Sequence, residues 1–314
     1  MGKYAIKRLI QIIPVLIIVS IAVFSIIHLI PGDPAEIMAG SNATDEQVAA
    51  LRHQYGLDKP IWSQYLIWLE NVATGNLGYS LTNGFPVNKL LLQRIPATIE
   101  LAIAAAIIGT LIAFPLGIIA ALKPGSFIDF FSTLFSALSF AVPSFWLAIL
   151  LILLFSLQFK LLPPSGRPDF SEEPIEHLKS LIMPALTLGI AMAAKLTRYL
   201  RSSMLDVLHQ DYVRTARSKG LSERSVVVRH AIRNALIPVI TVFGLQIGDL
   251  LSGAIIVESI FSWPGVGRLT IQAISWRDYS ILQASVMFIV FAFLLVNLLT
   301  DLTYGLINPR IRYE

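Results

Sequence analysis

Long apolar runs separated by polar clusters dominate the chain. The runs predict membrane-depth helices at Leu9–Ile30, Pro96–Leu122, Asp129–Phe159, Leu181–Leu200, Leu236–Ile260 and Ser280–Leu306. Each reaches the ~20 residues that a bilayer-spanning helix needs. Only helices and closed barrels satisfy their backbone inside lipid, and the ~10-residue alternation of a barrel strand is absent. The expected fold is therefore an all-α polytopic membrane protein with about six transmembrane helices. Pro96 is expected in the first turn of the second span, where a missing N–H costs little. Pro143 is expected to kink the third span, and Pro238 to open the fifth.

The polar stretches divide the chain into an N-terminal tail and first span (1–30), an insert (31–95) and a core (96–314). Within the insert, Thr44 followed by Gln47 forms a capping box at the start of a helix. Tyr55-Gly56-Leu57-Asp58-Lys59-Pro60 ends that helix. Trp62, Tyr65 and Trp68 then recur at helical spacing, which suits an interfacial aromatic belt or the core of a small cap. Phe261–Tyr279 reads as a hairpin carrying Gly and Trp. The longest strongly basic segment is Asp211–Pro238, with Arg214, Arg217, Lys219, Arg224, Arg229 and Arg233. In its approach (204–234), Leu205, Leu208 and Tyr212 fall at helical spacing, the stripe of a short helix. Gly220, able to take φ > 0, is placed to end it.

Only 14% of the residues are charged and 55% are hydrophobic, far from the ~25% charged of a soluble domain. The net charge of +4 suits the positive-inside rule better than nucleic-acid binding, because the basic residues cluster on one side of the spans. With the N-terminus inside, fifteen of the 24 Lys and Arg fall on the inner side. Four of the outer nine sit in the long insert, which carries little orientational weight. Both termini are thus expected in the cytoplasm and the insert outside. The first run is too long for a cleaved signal peptide, and Pro31-Gly32-Asp33-Pro34 follows it in place of a small-residue cleavage site. The two halves show no repeat, which gives inverted-repeat transporter folds no support.

An ionisable group within a span is a functional candidate by default. Asp249 and Gln246 share one face of the fifth span, where they either line a path or bond a neighbouring helix. Ser136, Ser139 and Thr187 are weaker candidates, since hydroxyls often bond their own helix. Trp263 anchors the 261–267 hairpin, which is either an interfacial loop or an element folded into the outer mouth. Glu258 beside it either accepts a substrate amine or caps the loop. Gly109, Gly117, Gly248 and Gly253 are expected at close helix crossings. There are no cysteines, and His28, His53, His177, His209 and His230 form no close pair, so no metal site is expected. No Walker A loop is present. Leu251-Ser252-Gly253 lies in an apolar span, and the Asn42-Ala43-Thr44 sequon is of a kind expected by chance.

Arg214-Thr215-Ala216, Gly220 and Asn234-Ala235-Leu236-Ile237-Pro238 resemble the cytoplasmic motif of binding-protein-dependent ABC importer permeases. Arg and Thr replace the family's first Glu-Ala, and the gap to the proline is longer, as in the peptide/nickel branch. Pro31-Gly32-Asp33-Pro34, Tyr55-Gly56-Leu57-Asp58, Gly75–Ser80, Pro96–Leu101, Tyr212–Arg217, Ile260–Gly267 and Asn308–Arg312 are similar to that branch too. The resemblance covers nearly the whole chain and points to the first permease of dipeptide, oligopeptide, glutathione or nickel importers. It implies an ATPase-coupling helix between spans four and five, carried by Asp211, Tyr212, Arg214, Thr215, Ala216, Gly220 and Pro238. It further implies a path through the spans, for which Gln246, Asp249, Glu258, Ser136, Ser139 and Trp263 are the candidates. The implied partners are a second homologous permease, two ATPase subunits or domains, an extracytoplasmic substrate-binding protein and membrane lipid. No cofactor is expected on this chain, since ATP and Mg belong to the ATPases. The implied mechanism is alternating access, with peptide the first substrate and nickel or its chelate and glutathione the alternatives. The rivals are an ion-coupled secondary transporter using Asp249, and an intramembrane enzyme, for which no nucleophile–base pair is visible.

Overall fold

The computed structural model describes residues 2–29, 34–39, 43–54 and 56–307. Pro31-Gly32-Asp33, Asn42, Tyr55 and Asn308–Arg312 lie outside them. The described residues form helices α1 (Gly2–Leu29), α2 (Pro34–Ala39), α3 (Asp45–Gln54), α4 (Ile61–Ala73), α5 (Val87–Leu122), α6 (Phe127–Ala141) and α7 (Ser144–Leu151). They continue with α8 (Pro174–Leu208), α9 (Asp211–Ser218), α10 (Glu223–Ser225), α11 (Arg233–Ile260), α12 (Val266–Trp276) and α13 (Tyr279–Ile307). Wider π-helical turns extend α7 over Ile152–Gln158 and join α10 to α11 over Val226–Ile232. Among the described residues, five helices are long and apolar enough to cross a membrane, and the α6–α7 pair makes a sixth if counted as one crossing.

The α5–α8 crossing builds the centre. A Cβ on Gly109 would sit 3.2 Å from the Gly189 carbonyl, and one on Gly117 would sit 3.1 Å from the Thr197 carbonyl. The two backbones therefore meet through small residues, as membrane helices do when no hydrophobic drive separates lipid from protein. Gly248 admits Phe293 and Gly253 admits Leu188 in the same way. Leu101, Ala105, Met183, Met192, Leu196 and Leu200 fill the buried seam. Around it, α1 leans on α13 and α4. Gln283 Nε2 donates to the Val23 carbonyl at 3.2 Å, and Ser20 and Tyr65 share a 2.8 Å hydroxyl contact.

The capping box forms as expected: Thr44 N–H donates to Gln47 Oε1 at 3.0 Å and Gln47 N–H to Thr44 Oγ1 at 3.3 Å. Tyr65 and Trp68, both half-buried, pack against Phe24 of α1 with ring centroids 5.5 and 5.8 Å away. Trp62 faces outward.

Several boundaries differ from the sequence reading, each for a packing reason. The second span starts at Val87, so Pro96 is interior and exposed. Val87 and Leu91 bury against Val266, Leu269, Ala273 and Ile281, and that contact carries the helix past the proline. The third span is more than kinked: Val142 is extended (ψ 117°) before Pro143, as sterics before proline dictate, and the halves bend by 103°. The fourth span begins at Pro174 and runs on to Leu208, absorbing Leu205 and Leu208. Pro238 does not open the fifth span; it is an exposed interior residue of α11. The 261–279 hairpin contains α12, and Trp263 is fully buried.

Candidate functional site

The basic segment folds as a small unit hung between α8 and α11. Gln210 is extended (φ −72°, ψ 149°) and breaks the chain out of α8, and Asp211 then favours the positive start of α9. Val213 and Ala216, one turn apart, turn inward and pack with Val226, Val207 and Leu208. These two, rather than the expected Leu205, Leu208 and Tyr212, are the apolar stripe of the short helix. Tyr212, Arg214, Thr215 and Arg217 face solvent. Gly220 does end the helix, at φ +78°, with nothing within 4 Å of the place a Cβ would occupy. Its requirement is therefore conformational and not spatial.

Two side-chain links close the unit. Arg217 spans the glycine turn, donating from Nε and Nη2 to the two Glu223 oxygens at 3.1 and 2.7 Å. That carboxylate holds the Arg217 guanidinium above its usual pKa. Asn234 Nδ2 donates to Tyr212 Oη at 3.0 Å, joining α9 to the first turn of α11. At the end of α8 nearest this unit, Arg201 grips Asp129 of α6 through two donors at 2.5 and 2.9 Å, and Gly125 N–H adds a third at 2.9 Å.

Within the spans the candidates separate. Asp249 is exposed, accepts from Lys195 Nζ at 2.9 Å and from Gln246 Nε2 at 3.3 Å. Ser136 bonds across to the Ala194 carbonyl of α8 at 3.1 Å, and Thr187 bonds back to its own helix at Met183. Both hydroxyls are buried and occupied by packing, while Ser139 is half-buried.

Glu258 is fully buried and faces no opening. It accepts from Thr98 Oγ1 at 2.7 Å and from Arg268 N–H at 3.0 Å, while Val266 N–H donates to Thr98 Oγ1 at 2.8 Å. The carboxylate caps the loop and staples α5, α11 and α12. Gly265 and Gly267 pass so close to it that Cβ atoms there would overlap its oxygens or the Ile255 backbone. Trp263 is locked beside this staple, donating from Nε1 to the Ala97 carbonyl at 2.8 Å. Above it, Arg167 donates to Glu100 Oε2 at 3.0 and 2.7 Å, and His177 pairs with Glu100 and with the Pro168 carbonyl. The hairpin is thus a packed plug at the end of the bundle opposite α9.

The sequence reading passes over Glu100, Asp129, Lys195, Arg201 and Asp278. Glu100 and Asp129 lay within predicted spans, and the rule that flagged Asp249 applied to them equally. Asp278 precedes α13 as a cap: it accepts from Ile281 N–H at 3.2 Å and holds Ser80 and Thr82 of the insert through hydroxyls at 2.5 and 3.0 Å. Among the described residues, no three His, Cys, Asp or Glu side chains are grouped to hold a metal ion.

The family described as "Binding-protein-dependent transport system inner membrane component" matches residues 113–313, and its N-terminal companion matches residues 1–102. The chain belongs to the binding-protein-dependent transport-system permeases. This permease is 44% identical to the di/tripeptide transport system permease protein DppB of Pseudomonas aeruginosa (strain UCBPP-PA14), over 100% of both chains. It is 41% identical to the dipeptide permease DppB of Escherichia coli K12 and to the glutathione permease GsiC of the same strain, again over 100% of both chains. Its fold is similar to that of a chain of the MetNI methionine ABC transporter in inward-facing conformations, with a TM-score of 0.57 over 70% of this chain and 96% of that one, at 13% identity. The permease is a multi-pass inner-membrane transport subunit of the ABC importer class.

Proposed function

We propose that this permease forms half of a peptide-conducting pore, paired with a second, similar permease and driven by two ATPases through α9. A binding protein delivers substrate to the opposite face, where the insert and the α12 plug lie. Both termini and α9 are in the cytoplasm. The observation that carries this reading is the α9 unit. It has its own small core, an outward surface of polar and basic side chains, and a side-chain tie to α11. A helix so mounted moves as a body with the ends of α8 and α11. Lipid anchoring alone needs only the arginines, not the glycine turn or the Tyr212–Asn234 tie. The peptide substrate follows from the dipeptide, di/tripeptide and glutathione relatives, which share a zwitterionic short-peptide chemistry. Glutathione, nickel and its chelates are the alternative cargoes.

The test is uptake of alanyl-alanine by proteoliposomes holding the complete transporter with its binding protein. ATP-dependent accumulation that vanadate stalls is the expected result. Accumulation that ignores vanadate and follows an ion gradient overturns the proposal in favour of secondary transport.

A further inference from the structure

Two side chains of opposite charge point outward from α8 and α11, two helices long and apolar enough to cross a membrane. Lys195 lies about 9 Å along α8 from Arg201, which binds the Gly125–Asp129 turn, and Asp249 about 16 Å along α11 from Ile260, at 1.5 Å per residue. Their side chains are 35% and 56% exposed. Charged groups at membrane depth face water or another protein surface, so this α8–α11 face is turned away from lipid. One turn along α8, Arg198 and Tyr199 are exposed on the same face; one turn along α11, Ser252 is exposed.

The pair is asymmetric in mobility. Gln246 tethers Asp249 from one turn away, whereas Lys195 sits on a flexible four-carbon stem. The Lys–Asp contact therefore opens by lysine movement while the carboxylate stays in place.

We propose that Lys195 and Asp249 are the site that reads the charged ends of a short peptide in transit. Asp249 takes the peptide ammonium, and Lys195 with Arg198 takes the carboxylate. This rests on the proposed peptide-pore function and takes the α8–α11 face as part of the wall of that pore. The chemistry fits on three counts. Between transport events the two groups neutralise each other, so the empty path holds no lone charge at this pair. An arriving zwitterion exchanges one ion pair for two. The ends of a dipeptide are about 7 Å apart when extended, a gap the lysine stem can open. Reading only the ends also leaves the side chains of the peptide unread, as suits a path that passes many sequences.

The chain has no cysteine, so Ser252→Cys places a single thiol of this subunit beside Asp249. The full transporter carrying this substitution is labelled with a membrane-impermeant maleimide in right-side-out and inside-out vesicles, with and without ATP. Alanyl-alanine at about ten times its Kd is expected to slow labelling roughly tenfold, as 1 + [L]/Kd requires. N-acetyl-alanyl-alanine amide, which lacks both charges, is expected not to. Adding Asp249→Asn to the Ser252→Cys protein should raise the protective concentration about tenfold or more, with each protein's labelling referred to its own peptide-free rate. A thiol unreactive from both sides means the face is not in water, and the path reading falls with the proposal. A reactive thiol that neither peptide protects, or that both protect equally, leaves the path reading standing and overturns recognition of the peptide ends.

Discussion

Replacing Glu258 by alanine removes the acceptor shared by α5, α11 and α12. The Thr98 hydroxyl, 2.7 Å away, and the Arg268 N–H, 3.0 Å away, lose their partner, and the Gly267 N–H points to the same carboxylate. Each buried donor left unsatisfied costs roughly 1–3 kcal/mol. The site is fully buried, but the vacated volume can admit a water that restores part of the bonding. A net loss of about 3 kcal/mol is the resulting expectation. At about 2 °C per kcal/mol for a chain of this size, the melting temperature of the purified permease complex falls by ~6 °C. Glu258→Gln should fall between: one oxygen still accepts, while its amide nitrogen opposes a backbone N–H. Thr98→Val should be strongly non-additive with Glu258→Ala, because Thr98 passes the Val266 N–H bond on to the carboxylate. Thermal unfolding followed by recovery on size-exclusion chromatography reads the three single variants and the double variant against the parent. A Glu258→Ala complex melting within ~1 °C of the parent would refute the staple.

Gly220→Val should cost about 1–2 kcal/mol locally at φ +78°, since only glycine, and less readily Asn or Asp, sits there; uptake and ATPase co-purification should drop while membrane insertion persists, and Gly220→Asn should retain most transport. Arg201→Ala leaves the Asp129 carboxylate with the Gly125 N–H alone of its three donors and should destabilise by about 1–3 kcal/mol, with the double variant Arg201→Ala/Asp129→Ala recovering much of the loss in the same melting assay. Gly109→Leu drives a side chain toward the Gly189 carbonyl and Met192 and should cost more than ~2 kcal/mol or block assembly, whereas an equally large apolar change at the exposed Ile107 should be silent.

Much of the architecture was written in the hydropathy, because a span must be apolar along its length whatever it packs against. The glycine crossings and the φ > 0 turn at Gly220 were equally readable, since glycine suits both best. Prolines misled in both directions. Pro96 and Pro238 look like helix starts, yet long-range burial of Val87 and Leu91, and the continuous turn from Glu223 onward, overrode that local signal. Pro143 looks like a kink, and the extended Val142 before it made a near right angle. The site was harder still. The inward stripe of α9 depended on where α8 stops, which Gln210 decides and hydropathy does not. Glu258 read either as an acceptor for substrate or as a cap of the loop, and only tertiary packing, which occupies its oxygens, decides for the cap.

The knot at Asp278 has a consequence for how the insert behaves. Its 80–82 turn and the head of the last crossing share one carboxylate, and they cannot part without stranding the hydroxyls of Ser80 and Thr82. This stretch of the insert is therefore no hinged flap over the entrance. It rides on α13 like a handle on a piston, and a spectroscopic probe at the exposed Tyr79 would report the stroke of that helix.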